Sequence, residues 1–178
     1  MTASSLMTDG GARDAGDRFA PDALIAANIN PSTRLATDYL NHFNEIIMLL
    51  EMLPAMPECV EDILDWQPKS YQQHFRDSNF KEKTLAIEAF EAAHPVVRAA
   101  FDDVVAEIDE RVTSVQELLG EGADAPNTQE QIAILVSTEL RPLIDKASGI
   151  INNADGVDHA ADRMPQPSAQ DAVDELFS

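Results

Sequence analysis

Cysteine is almost missing from this chain: Cys59 stands alone among 178 residues. A single thiol excludes an internal disulfide and suits a reducing compartment. Long apolar runs are missing as well; none reaches the ~18 residues of a membrane-spanning helix. The N-terminal stretch, Met1-Thr-Ala-Ser-Ser-Leu-Met-Thr-Asp-Gly, has neither the charged start nor the hydrophobic stretch of a secretory signal. These absences predict a cytoplasmic protein. Basic residues are scarce, 12 against 32 acidic ones, for a formal charge of −20. The deficit is spread along the chain, and no segment has a basic face. Nucleic acid and anionic membrane surfaces are therefore excluded as partners, and a cationic protein surface is the natural complement.

Glycine is absent between Gly16 and Gly120, and β-branched residues recur at helical rather than alternating spacing. The fold class expected is all-α. Residues 1–20, rich in Ser, Thr, Gly and Asp, read as a disordered N-terminus. A helical bundle is expected over 21–152, a flexible linker over 153–167 and a docking helix over 168–178.

Three long helices are expected in the bundle. The first starts at Asn30-Pro31, a capping residue with proline at the first helical position, and runs to Leu53. Its stripe is Ala36, Tyr39, Phe43, Ile46, Leu50 and Leu53. The second runs from Pro95 to a C-cap at Gly120, with Phe101, Val105, Ile108, Val112, Val115 and Leu119 in the same seven-residue repeat. The third spans Asn127 to Asn152, carrying Ala133, Val136, Leu140, Leu143, Ala147 and Ile150. Pro142 lies inside it and should kink it, because its ring collides with the carbonyl of Thr138. Shorter helices, about 57–66, 68–76 and 80–93, make an insert over 54–93. Such repeats imply an elongated antiparallel bundle with near-parallel packing. A homodimeric bundle and a closed monomer are both compatible with three stripes of this length.

Candidate chemistry is sparse. Glu91-Ala-Ala-His94 has the E-x-x-H spacing of carboxylate-bridged di-iron bundles, but no second copy exists, and Pro95 biases His94 out of the helix. His42 could be a base or a phospho-acceptor; its neighbours Tyr39, Phe43 and Ile46 place it instead at the edge of a core. Trp66, Tyr71, His74 and Phe75 could form a recognition surface, or close the insert over the bundle, the plainer reading. Met48, Met52 and Met56 read as core filler. Ser137-Thr-Glu-Leu-Arg-Pro-Leu143 superficially resembles the dimerisation box of sensor kinases, with Thr138 where the phosphorylated histidine would stand and no ATP-binding domain following. No metal and no cofactor are expected.

The most telling stretch is Ser168-Ala-Gln-Asp-Ala-Val-Asp-Glu-Leu-Phe-Ser178. Ser168 can cap a short helix, Asp171 suits its first turn, and Ala172 or Val173, Leu176 and Phe177 share one face. An isolated helix this short is marginal in water and needs a partner or the chain's own body. Gln170-Asp-Ala-Val-Asp-Glu-Leu176 resembles the C-terminal peptide of the CheZ chemotaxis phosphatase family and the N-terminal peptide of flagellar motor switch proteins. The resemblance implies a segment that binds a CheY-type response regulator through Asp171, Val173, Asp174, Leu176 and Phe177, its acids meeting a basic docking surface. It covers about eight residues. The CheZ family's catalytic D-x-x-x-Q pair is absent from the long helices; its only occurrence is Asp162 with Gln166 in the linker. The E-x-x-N signature of the other regulator phosphatases is absent too. Binding is implied and catalysis is not; Gln116, Gln129 and Gln131 are the glutamines a phosphatase would have to recruit. The alternative is a helical interaction protein unrelated to chemotaxis.

Overall fold

Proline and asparagine, rather than glycine, divide the chain into helices, and a computed structural model describes residues 18–153 apart from 124 and 126. Helix α1 spans Pro21–Ala26. A 3₁₀ turn at Thr37–Leu40 leads into α2 (Asn41–Met52), and three short helices follow: α3 (Cys59–Asp65), α4 (Tyr71–Asp77) and α5 (Lys83–Glu91). The longest element, α6, runs for 28 residues from Pro95 to Gly122. Helix α7 (Thr128–Leu135) passes through a π-helical turn, Val136–Leu140, into α8 (Arg141–Asn152). The described residues are all-α, with one isolated antiparallel bridge between Ile29 and Ala36.

Direction is legible from the ion pairs between helices. Glu107 meets Lys146 at 3.8 Å and Arg111 meets Glu139 at 2.5 Å, so ascending numbers on α6 face descending ones on the last helix. Glu51 likewise meets Arg141 at 2.9 Å, while Thr33, before α2, donates its hydroxyl to the Ile151 carbonyl at 2.6 Å. Both α6 and α2 are therefore antiparallel neighbours of the α7–α8 rod.

The expected first helix begins seven residues or more too early. Asn30 does cap, its side-chain oxygen accepting from the Ser32 and Thr33 amides at 2.9 and 3.1 Å, but it caps a single turn. Arg34 then takes a left-handed backbone, φ 61°, and the loop closes through Asn30 N–H to the Leu35 carbonyl. A Cβ-bearing residue in that region is strained unless its surroundings hold it. Here the Arg34 guanidinium donates to the Ala92 carbonyl at 2.8 Å and covers the Phe19 ring at 5.0 Å. Asn28, φ 58°, ends α1 in the same way: Ile29 N–H bonds the Leu24 carbonyl and Asn28 N–H the Ile25 carbonyl. That is the paired closure a helix makes at a left-handed cap, with Leu24 and Ile29 both buried beneath it.

Gly120 does not end the second long helix, which continues to Gly122. Pro142 disturbs the helix as its chemistry requires. The turn before it widens, Arg141 N–H reaching back five residues to the Val136 carbonyl, and both Ser137 and Thr138 hydroxyls bond the Ile134 carbonyl. One extra residue per turn absorbs the proline ring, a common origin of π-turns inside helices. The buried stripe departs from the heptad in part. Ile132, Val136, Leu140, Ala147 and Ile151 are buried, whereas Ala133 is exposed and Leu143 and Ile150 are only half-buried.

The short helices are not an appendage. Tyr71, Phe75 and Phe90 join Tyr39 and Phe101 in one aromatic cluster, Tyr71 stacking on Phe90 at 4.4 Å and lying 4.7 Å from Phe75. Two phenols fix its position: Tyr39 donates to the Lys69 carbonyl at 2.6 Å, and Tyr71 accepts from the buried Ala36 amide at 2.9 Å. Gln116 on α6 donates to the Ile63 and Trp66 carbonyls, both at 2.8 Å, satisfying the end of α3. The plainer reading of the aromatic insert is the observed one.

Tyr71→Phe keeps the ring and removes the acceptor for a buried amide. It is expected to cost about 1–3 kcal/mol; Phe101→Ala, which empties the cluster's centre, is expected to cost about 3–5 kcal/mol. Urea unfolding followed by circular dichroism measures both. Tyr71→Phe matching the wild type would mean the phenol bond is not stabilising.

Candidate functional site

The residues singled out by sequence are not gathered into one place. Asp171, Val173, Asp174, Leu176 and Phe177 lie outside the described residues. Glu91 closes α5, while His94 turns extended (ψ 132°) before Pro95 and caps α6, its Nδ1 accepting from Val96 N–H at 3.3 Å. The two therefore belong to different helices and do not form an E-x-x-H face. Among the described residues no three His, Cys, Asp or Glu side chains are grouped to hold a metal ion. Gln116 is committed to the α3 carbonyls, Gln131 is exposed, and Gln129 is half-buried in an apolar groove. Thr138 returns its hydroxyl to its own helix.

His42 is 7 % exposed and stacks on Trp66 at 4.6 Å, with Nε2 buried and unpartnered among the described residues. Burial pushes its pKa down to about 4, helped by His74 and Lys69 and opposed by the Gln67 carbonyl. His74, 6.1 Å away, is lowered for the same reason, burial first. Asn41, Glu45, Lys69, Asp77 and Ser78 complete a cavity of about 230 Å³ around the two rings. Lys69 meets Asp77 at 3.1 Å across it. Two neutral imidazoles beside a neutralised ion pair make a polar seam, and the buried Nε2 of His42 cannot be presented to a phosphoryl donor. His42 is a histidine at the edge of the core.

Sequence reasoning missed two features. Asp109 carries a buried oxygen unpartnered among the described residues, and burial raises its pKa to about 6. It borders a cavity of about 250 Å³ formed by Tyr39, the 68–72 segment and α6. Its signal was present: position 109 adjoins Ile108 and follows Val105 by one turn, at the margin of the apolar stripe. The second is the groove holding Gln129, lined by Leu50, Leu53, Ile132 and Val136. Met48 and Met56, expected in the core, are exposed, and only Met52 packs against it. Met48 lies on a side of α2 that nothing among the described residues covers, and Met56 lies in the turn beyond its end.

Comparison with protein-family models, curated proteins and solved structures found no match to this chain.

The titrations have opposite signs. His42 binds a proton less readily folded than unfolded, so stability is lost as pH falls from about 6.5 through about 4. Asp109 binds one more readily folded, so its cost is absent below about 4 and complete above about 6. His42→Gln is expected to flatten the acid limb of a stability–pH profile. Asp109→Asn should raise the melting temperature at pH 7.5 more than at pH 4. Parallel profiles for wild type and variants would show that neither site titrates with folding.

Proposed function

We propose that this chain is a regulatory protein that captures a CheY-type response regulator through its acidic C-terminal segment. The observation that carries the reading is Gln170-Asp-Ala-Val-Asp-Glu-Leu176, with Asp171, Val173, Asp174, Leu176 and Phe177 as the docking face. A chain of charge −20 favours a partner with a basic surface and hastens their encounter. In this reading the helices act as an elongated bundle of three long helices, alone or as a homodimer, that holds the segment at the end of a 15-residue leader, 153–167. The setting is the cytoplasm, and no helix among the described residues is long and apolar enough to cross a membrane.

The role we favour is that of an adaptor. A phosphatase would need a glutamine free to orient water with an aspartate one turn before it. Gln116 already spends its amide on two carbonyls, and exposed Gln131 has Asn127 at that place. A helical interaction protein outside chemotaxis is the second reading, favoured by the apolar groove beside α2.

Deleting residues 168–178 is expected to leave the helical body folded and its unfolding cooperative while abolishing regulator binding in a pull-down or by titration calorimetry. Binding should also weaken steeply with salt, because acidic and basic surfaces meet in solvent. Full binding by the truncated chain would overturn the proposal. Dephosphorylation of the regulator faster than its own decay would replace the adaptor by a phosphatase.

A further inference from the structure

The groove beside α2 has a definite chemistry. It encloses about 240 Å³ between the end of α2 and the π-turn rod, floored by Leu50, Leu53, Ile132 and Val136. That volume holds one or two large apolar side chains. At one end stands Gln129, in the first turn of α7, whose N-terminus no side chain among the described residues caps. Unsatisfied amides there favour an acceptor that carries negative charge. The only acid lining the groove, Glu51, is already bound by Arg141. The groove thus suits an apolar side chain brought in on an acidic segment.

The chain carries one such segment itself. Residues 168–178 combine Val173, Leu176 and Phe177 with Asp171, Asp174 and Glu175. The rod ends at Asn152, and Ser137 at the near edge of the groove is 15 residues back along it, or about 23 Å at 1.5 Å per residue. Residues 153–167 can span about 50 Å when extended. Tethering at that length supplies an effective concentration on the order of millimolar, which offsets the repulsion a free acidic peptide would meet from an acidic body. We propose that residues 168–178 dock in this groove of their own chain, Leu176 and Phe177 filling it, as a resting state from which a partner draws the segment out. The docking stands on the groove and the segment; the release rests on the function proposed above.

The test uses the full chain. Methyl and amide NMR spectra of the wild type are compared with those of Leu176→Asp/Phe177→Asp, and shifts are expected at Leu50, Leu53, Ile132 and Val136. Ala133→Glu, at an exposed rim position that leaves the core intact, should move resonances of 168–178 onto those of the free synthetic peptide. If the wild-type segment already matches the free peptide, or its substitution perturbs a different surface, the docking is overturned. Regulator capture is read separately. For a groove occupied nine times in ten, Ala133→Glu should tighten capture about tenfold. A docked segment with capture unchanged by Ala133→Glu overturns the resting state alone. A docked segment with no capture by any variant overturns the proposed function and leaves the docking standing.

Discussion

Two phenols decide where the short helices sit. Tyr39 and Tyr71 come from segments about 30 residues apart, and each closes a hydrogen bond to the other's neighbourhood, Tyr39 to Lys69 and Tyr71 to Ala36. Their rings are 5.3 Å apart and both pack on Phe101 of α6. Aromatic side chains contribute large buried areas, and a buried phenol must find a partner, so area and direction are set together. Burial, with Asp109 and Asp102 nearby for Tyr39, also keeps these phenols protonated far above neutrality. Remove this crossing and α4 and α5 lose that reference to the long helices, while α3 keeps the bonds Gln116 makes to its end; the Asp109 cavity, which borders the 68–72 segment, loses a wall with it.

Charge works at a different scale. The acidic excess repels polyanions at long range, while several of the few bases are placed across helix seams. Arg111, Arg141 and Lys146 each meet a glutamate on a neighbouring helix. These pairs are solvent-exposed and contribute little stability singly. They do set register, because a carboxylate facing a carboxylate would be unfavourable in a chain with 32 of them. The outer surface that remains is acidic, so a partner that binds by charge must be basic.

Among the described residues, helix α2 leaves apolar surface uncovered on one side. Its buried face, Phe43, Ile46, Ile47 and Leu50, is packed, yet Met48 points outward and Leu53 opens onto the groove. Beyond Val136 the buried positions are Leu140, Ala147 and Ile151, with Leu143 and Ile150 half-buried. The π-turn places Val136 and Ser137 at the border of the groove. A proline accommodated by one widened turn thus shapes the surface best suited to an acidic apolar segment.

How much was legible divides along physical lines. The all-α class, the α6 stripe except that Val104 rather than Val105 is the buried member, the break before Pro95 and the charge are local or additive properties, and the chain alone determined them. Periodicity names a face but not its cover, so the exposure of Met48 and the half-burial of Leu143 needed neighbours to decide. A capping signature says that a turn can start, not that it will propagate; Arg34, held in the left-handed region by Ala92 and Phe19 from distant segments, stopped the one at Asn30. Protonation was likewise beyond the sequence, since desolvation of His42 and Asp109 arises only once α2, the 66–70 segment and α6 are brought together. Tertiary structure decided which apolar residues were left without a partner, because that is a property of the gaps between helices and no single helix contains them.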